Sequence, residues 1–182
     1  MIRSLSPTAL CLVGLLLVGC NGQSSTDSTA SDPIANVVDV DFASLVLGQM
    51  PEGDVSTPTE IMELGGKAAP AIVAGRIDAG DVDPFQPGEM TFMISQLPDE
   101  DHAGDDPDHA DNCPFCKHKL ESAPKAIVQF CGPDGSVLAG DAQRSLSLEK
   151  GDIVYVTGTA QYNPAINTVM VNATGIFRKS RS

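Results

Sequence analysis

Tryptophan is absent, and two tyrosines and six phenylalanines bring aromatics to only 4% of the 182 residues. Proteins that hold single-stranded nucleic acid stack its bases on aromatic rings along a basic groove. Basic residues are scarce too: 11 Lys and Arg stand against 24 Asp and Glu, a formal net charge of −13. Such a surface repels phosphate backbones and anionic lipid heads, and it tolerates cations. No nucleic-acid partner is therefore expected. The late Arg178, Lys179 and Arg181 form a small basic end that reads as a solvated terminus. Glycine-rich phosphate loops, Gly-x-Ser-x-Gly elbows and His-Glu-x-x-His helices are missing. No spacing of Ser and His implies a catalytic triad, so the chain does not read as an enzyme. After residue 18 no apolar run reaches the length that spans a bilayer.

What is present begins at the start of the chain. Arg3 supplies a positive charge, residues 9–18 form a short apolar run, and Leu17-Val18-Gly19-Cys20 ends it. A charged start, an apolar middle and a small residue before the cut describe an export signal. The run is too short for a stable transmembrane helix. Leu17-Val18-Gly19-Cys20 resembles a bacterial lipobox. The resemblance implies that the chain is cut before Cys20, that Cys20 carries a diacylglyceryl thioether, and that the protein sits outside the cytoplasm, anchored to a membrane of the cell envelope by its lipid. Acyl chains contribute about 0.8 kcal/mol per buried methylene, so a multiply acylated cysteine holds firmly. An ordinary secretory signal with an incidental cysteine is the plainer alternative. Cleavage removes Arg3, taking the net charge from −13 to −14. Residues 21–32 (NGQSSTDSTASD) are polar and cannot bury enough apolar surface to offset chain entropy, so they read as a tether. The expected organisation is a signal over residues 1–19, the lipidated cysteine and tether over 20–55, and one domain over 56–182.

Thr57-Pro58-Thr59-Glu60 predicts a helix start, with a capping Thr, Pro at the first helical position and Glu three residues after the cap. Gly65-Gly66 ends that helix. Strand patterns then follow at residues 71–77 (AIVAGRI), 89–97 (EMTFMISQL), 125–131 (KAIVQFC), 152–160 (DIVYVTGTA) and 168–177 (TVMVNATGIF). In the second of these Met90, Phe92 and Ile94 share one face, and both Met90 and Met93 are expected in the core. Residues 151–160 and 169–176 are similar to the last strands of OB-fold domains, and residues 73–77 look like their opening strand. The resemblance covers about residues 70–178. The fold class expected is all-β: a small five- to six-stranded OB-like barrel with a long Cys/His insertion, residues 98–123, between its second and third strands. Another small barrel or a sandwich is the alternative. OB folds bind oligonucleotides or sugars, but fold alone does not give function.

The insertion reads PDEDHAGDDPDHADNCPFCKHKLESA and holds all three histidines, His102, His109 and His118. It also holds Cys113 and Cys116, while Cys131 ends the next strand. Three readings compete. Cys113-Pro114-Phe115-Cys116 is a knuckle whose two thiolates can share a zinc ion, with Cys131 as a third sulfur and His109 or His118 completing a structural tetrahedron. Alternatively two of the cysteines join in a disulfide, as export permits, leaving one thiol over. Thirdly, the Cys-x-x-Cys sequence resembles that of glutaredoxin-like proteins. That chemistry wants the first Cys at a helix N-terminus, and barely one or two turns of helix fit before Pro124. The acidic residues 99–111 lack the spacing of a calcium hand and read as a solvated loop. Copper or nickel also suits a His, Asp and Cys mixture. The function expected is a membrane-anchored binding or structural module of the envelope; a thiol-redox or metal-handling protein is the alternative.

Overall fold

The computed structural model describes residues 41–98 and 112–180. The expected signal, Cys20, residues 21–40 of the expected tether and the acidic run with His102 and His109 lie outside the described residues. Six strands run Val55–Ser56 (β1), Ala69–Ile77 (β2), Thr91–Ser95 (β3), Lys125–Phe130 (β4), Ile153–Asn163 (β5) and Thr168–Arg178 (β6). They alternate as a sheet with one dry face must. Phe92 and Ile94 on β3, Ala126, Val128 and Phe130 on β4, and Val169 and Val171 on β6 are buried, while the residues between them are not.

All six strands belong to one mixed sheet, in the order β1-β2-β3-β4-β6-β5, and β5 returns to pair with β2. Five strands thus follow one another around a ring, with β4 and β6 parallel and the other ring pairs antiparallel. The ring closes unevenly. β2 and β5 stay in register from Ala69↔Ala160 to Arg76↔Ile153, whereas β2 and β3 meet only at Arg76↔Ser95 and Ile77↔Ile94. The core fills the ring, with Ile77, Met90, Phe92, Phe130 and Ile176 among its largest members.

The thin seam is bridged by a segment that precedes the first expected strand. β1 lies parallel to β2 through Val55↔Ile72 and Ser56↔Val73. It leads into helix α1 (Pro58–Glu63), whose Ile61 is 2% exposed within the core. The amide of Thr59 donates to Gln96 Oε1 at 3.2 Å, and the Thr59 hydroxyl donates to the same oxygen just beyond β3. One short segment is therefore bonded to both edges of the seam. The start of α1 is the capping box that Thr57 and Glu60 predict, and Gly65 and Gly66 leave it with φ of 75° and 80°, where side chains are strained.

Two glycines permit the ring's tightest approaches. A Cβ on Gly75 would lie 2.8 Å from the Ser95 carbonyl oxygen, at the place where β2 meets β3. A Cβ on Gly158 would strike the Asn172 carbonyl oxygen, where the β5–β6 register shifts between Thr157 and Gly158. At one end of the ring helix α3 (Ala142–Ser145) and the following Leu146 and Leu148 close the core. Buried Asp152 accepts from the Glu149 amide at 2.8 Å and faces Arg178 at 3.7 Å there.

Residues 41–54, expected within the tether, supply a 3₁₀ turn, Phe42–Leu45, after which Leu47 donates its amide to the Ile176 carbonyl, and β1 begins at Val55. Because β1 precedes the expected first strand, the insertion falls between β3 and β4. Met93 corrects one expectation: Met90 is core, whereas Met93 is half-buried on the outer surface between buried Phe92 and Ile94. Three residues apart on an extended chain, the two methionines must face opposite ways.

Candidate functional site

The described part of the insertion forms helix α2, Pro114–Ser122. Cys113 is its N-cap, with extended φ and ψ of −99° and 112°, and Pro114 takes the first helical position. Proline suits that place because its missing N–H has no partner within a helix. Cys116 is the third helical residue and is buried at 6% exposure, the one buried residue of α2. Cys113 is half-buried, and Phe115 between them is 72% exposed. At the far end the Ser122 hydroxyl lies 3.0 Å from the carbonyls of both His118 and Lys119.

Helix geometry sets His118 apart from this pair. His118 follows Cys116 by two positions, which is about 200° around the helix, and it is exposed. Cys131 ends β4, whereas α2 enters β4 at Lys125. Six strand steps of about 3.3 Å place Cys131 roughly 20 Å along from that entry. There it bridges to Val137 across a turn, with its Sγ 3.9 Å from Asn172 Oδ1. Partial burial, and then the charge of Asp134, push the Cys131 thiol above its ordinary value. Asp134 is itself held low by hydrogen bonds from the Ser136 hydroxyl and amide. Cys113 and Cys116 thus share one helical turn, and Cys131 lies at the end of β4 opposite the one that α2 leads into. Among the described residues no group of three or more His, Cys, Asp or Glu is assembled as a metal would need. His109 lies outside those residues. All three described cysteines carry thiols, with no disulfide among them.

A second feature went unseen in the sequence. Met93, Ile127 and Met170 lie directly opposite one another across β3, β4 and β6, through Met93↔Ile127 and Ile127↔Met170. All three point outward, since their strand neighbours fill the core, and all are half-buried. The adjoining row, Thr91, Gln129 and Asn172, is polar, and Gln129 Nε2 donates to Asn172 Oδ1 at 2.7 Å. Met170 also lines an open groove of about 450 Å³ with Gly66, Gln161, Tyr162, Asn163 and Pro164, at the β5–β6 hairpin. The available signal was apolar residues at the outward positions of alternating strands. Which positions would line up depended on the register of three strands far apart in sequence. No family model and no curated protein matches the chain.

Proposed function

We propose that the chain is an exported lipoprotein of the cell envelope, cut before Cys20 and held at a membrane by lipid on that cysteine. Its domain is an OB-type barrel that serves as a binding module. Support for the anchor comes from the order of features at the start: positive charge, apolar run, Leu17-Val18-Gly19-Cys20 and a polar tether. Support for the barrel comes from the five-strand ring, thin at one seam; an OB fold is a five-stranded, partly open barrel.

The observation that carries the binding role is the outward row Met93–Ile127–Met170. OB folds bind along the face of their second and third strands. Counted around the ring from β2, those are β3 and β4, which hold Met93 and Ile127. A partner covering this row gains about 25 cal/mol for each Å² of apolar surface removed from water. The acidic charge and scarce aromatics disfavour nucleic acid there, and an uncharged or cationic protein segment fits better.

The test has two parts. Cells fed a labelled fatty acid should yield labelled, membrane-fractionating wild-type protein, and the Cys20→Ser variant should be unlabelled. A photo-crosslinking residue at position 127 should give a discrete adduct in intact cells, and one at exposed position 143 on α3 should not. An unlabelled wild-type chain would refute the anchor. Equal crosslinking at both positions would refute the face.

A further inference from the structure

We infer that Cys113 and Cys116 form a reversible dithiol–disulfide couple, in which Cys113 exchanges with disulfides of other proteins and Cys116 resolves the mixed disulfide. The inference stands on the geometry of α2 and does not depend on the lipid anchor. N-cap and N3 are the two positions whose side chains reach each other's backbone in a capping box, so residues there already converge. Side chains of a helix lean toward its N-terminus, which tips the Cys116 sulfur back over the turn that holds Cys113. A disulfide needs Cα atoms about 4.4–6.8 Å apart, a span that one helical turn supplies without unwinding.

The two sulfurs are unequal in the way exchange requires. Cys113 is half-buried and can be approached from solvent, whereas Cys116 is 6% exposed. The N-cap is also where an anion is favoured. Side-chain acceptors at that position receive the amides of the second and third helical residues, here Phe115 and Cys116, at the positive end of the helix. The Cys113 side chain makes no capping hydrogen bond. Ser, Thr, Asp or Asn would cap α2 better, so cysteine at this place is poorly explained by helix stability. Exposed Lys117 and Lys119 add positive charge within the next turn and a half.

The Cys113 thiolate attacks one sulfur of a partner's disulfide, forming a mixed disulfide and releasing the partner's other sulfur as a thiolate. Cys116, losing its proton to solvent, attacks the Cys113 sulfur, and the partner's second thiolate leaves. The pair has lost two electrons and the partner's disulfide has gained them. Two molecules of a small thiol such as glutathione return the pair to the dithiol: the first attacks the Cys113 sulfur and frees Cys116, and the second attacks the glutathione sulfur of that adduct, frees Cys113 and leaves as glutathione disulfide. Cys131, at the far end of β4, takes no part.

The test uses the purified chain in buffers of reduced and oxidised glutathione, quenched with acid and mapped by peptide mass. Wild type should form a Cys113–Cys116 bond, reversible with a dithiol reductant, while Cys131 remains alkylatable. Cys116→Ala should instead accumulate glutathione on Cys113, because nothing resolves the adduct. Cys131→Ala should behave as wild type. Should Cys116→Ala fail to fold by circular dichroism, the wild-type mapping and its reversal still decide. Either of two results would overturn the inference: a bond that joins Cys131 to one of the pair, or a Cys113 thiol in folded protein that stays unmodified under conditions that modify the denatured chain. A pair that retains added zinc and resists oxidised glutathione would overturn it as well.

Discussion

Replacing Gly158 with alanine places a methyl group against the main chain of β6, where the β5–β6 register shifts. The nearest atoms are backbone: the Asn172 carbonyl oxygen, the Ala173 Cα at 2.9 Å and the Asn172 carbonyl carbon at 3.0 Å. None can swing aside as a flexible side chain would, so β5 and β6 must separate. Forced backbone shifts of this kind cost about 1–3 kcal/mol. The substitution also stiffens the unfolded chain, which favours folding by about 0.4–1 kcal/mol and offsets part of the cost. Gly48→Ala isolates that second effect, because nothing lies within 4 Å of its added Cβ and its φ is not in the left-handed region. Urea unfolding of the two variants and wild type should rank them Gly48→Ala at or slightly above wild type and Gly158→Ala below it. At about 4 °C per kcal/mol for a domain of this size, the thermal midpoint of Gly158→Ala should fall by as much as roughly 10 °C. Proton exchange should quicken at the β5–β6 ladder before it quickens at the β3–β4 ladder. A Gly158→Ala protein as stable as Gly48→Ala would show that the close approach is not as drawn.

Other outcomes follow from single residues. Phe92→Ala removes a fully buried ring from the ring's centre and should destabilise by about 3–5 kcal/mol in denaturant unfolding, with the m-value unchanged. Gln96→Ala deletes the acceptor that joins α1 to the β3 side of the seam. Amides of β1 and α1 should then exchange faster while those of β5 and β6 keep their protection. Cys131, whose folded thiol is raised first by burial and then by Asp134, should titrate above its ordinary value of 9.0 when followed by thiolate absorbance in a Cys113→Ser/Cys116→Ser chain. Because the fold favours the protonated thiol, that contribution to stability is intact below pH 9 and is lost as pH climbs through the raised value. Asp134→Asn should bring the midpoint part of the way back, since burial is the larger cause.

The strands themselves were legible residue by residue. Period-two alternation in residues 89–97 puts Phe92 and Ile94 inside, and the same spacing sets Met93 outside once Met90 is taken as core. Thr57, Pro58 and Glu60 specify α1 through contacts that span three residues, so the sequence suffices for it. Cys113 and Cys116 are likewise a local matter: a cap and its third helical neighbour lie on one turn wherever that turn is placed. What lay beyond reach was everything that depends on which distant segments pair. Only the tertiary structure decided that β5 returns to β2, that β1 and α1 bridge the thin seam through Gln96, and that Met93, Ile127 and Met170 fall into line. The same applies to Cys131. Its chemistry reads as that of a third ligand, but a strand of six residues carries it away from the helix that enters at Lys125, because an extended chain advances about 3.3 Å with each residue. Periodicity and caps are set by neighbours a few residues apart. Strand register is set by the burial of faces contributed from across the chain, and no local pattern encodes it.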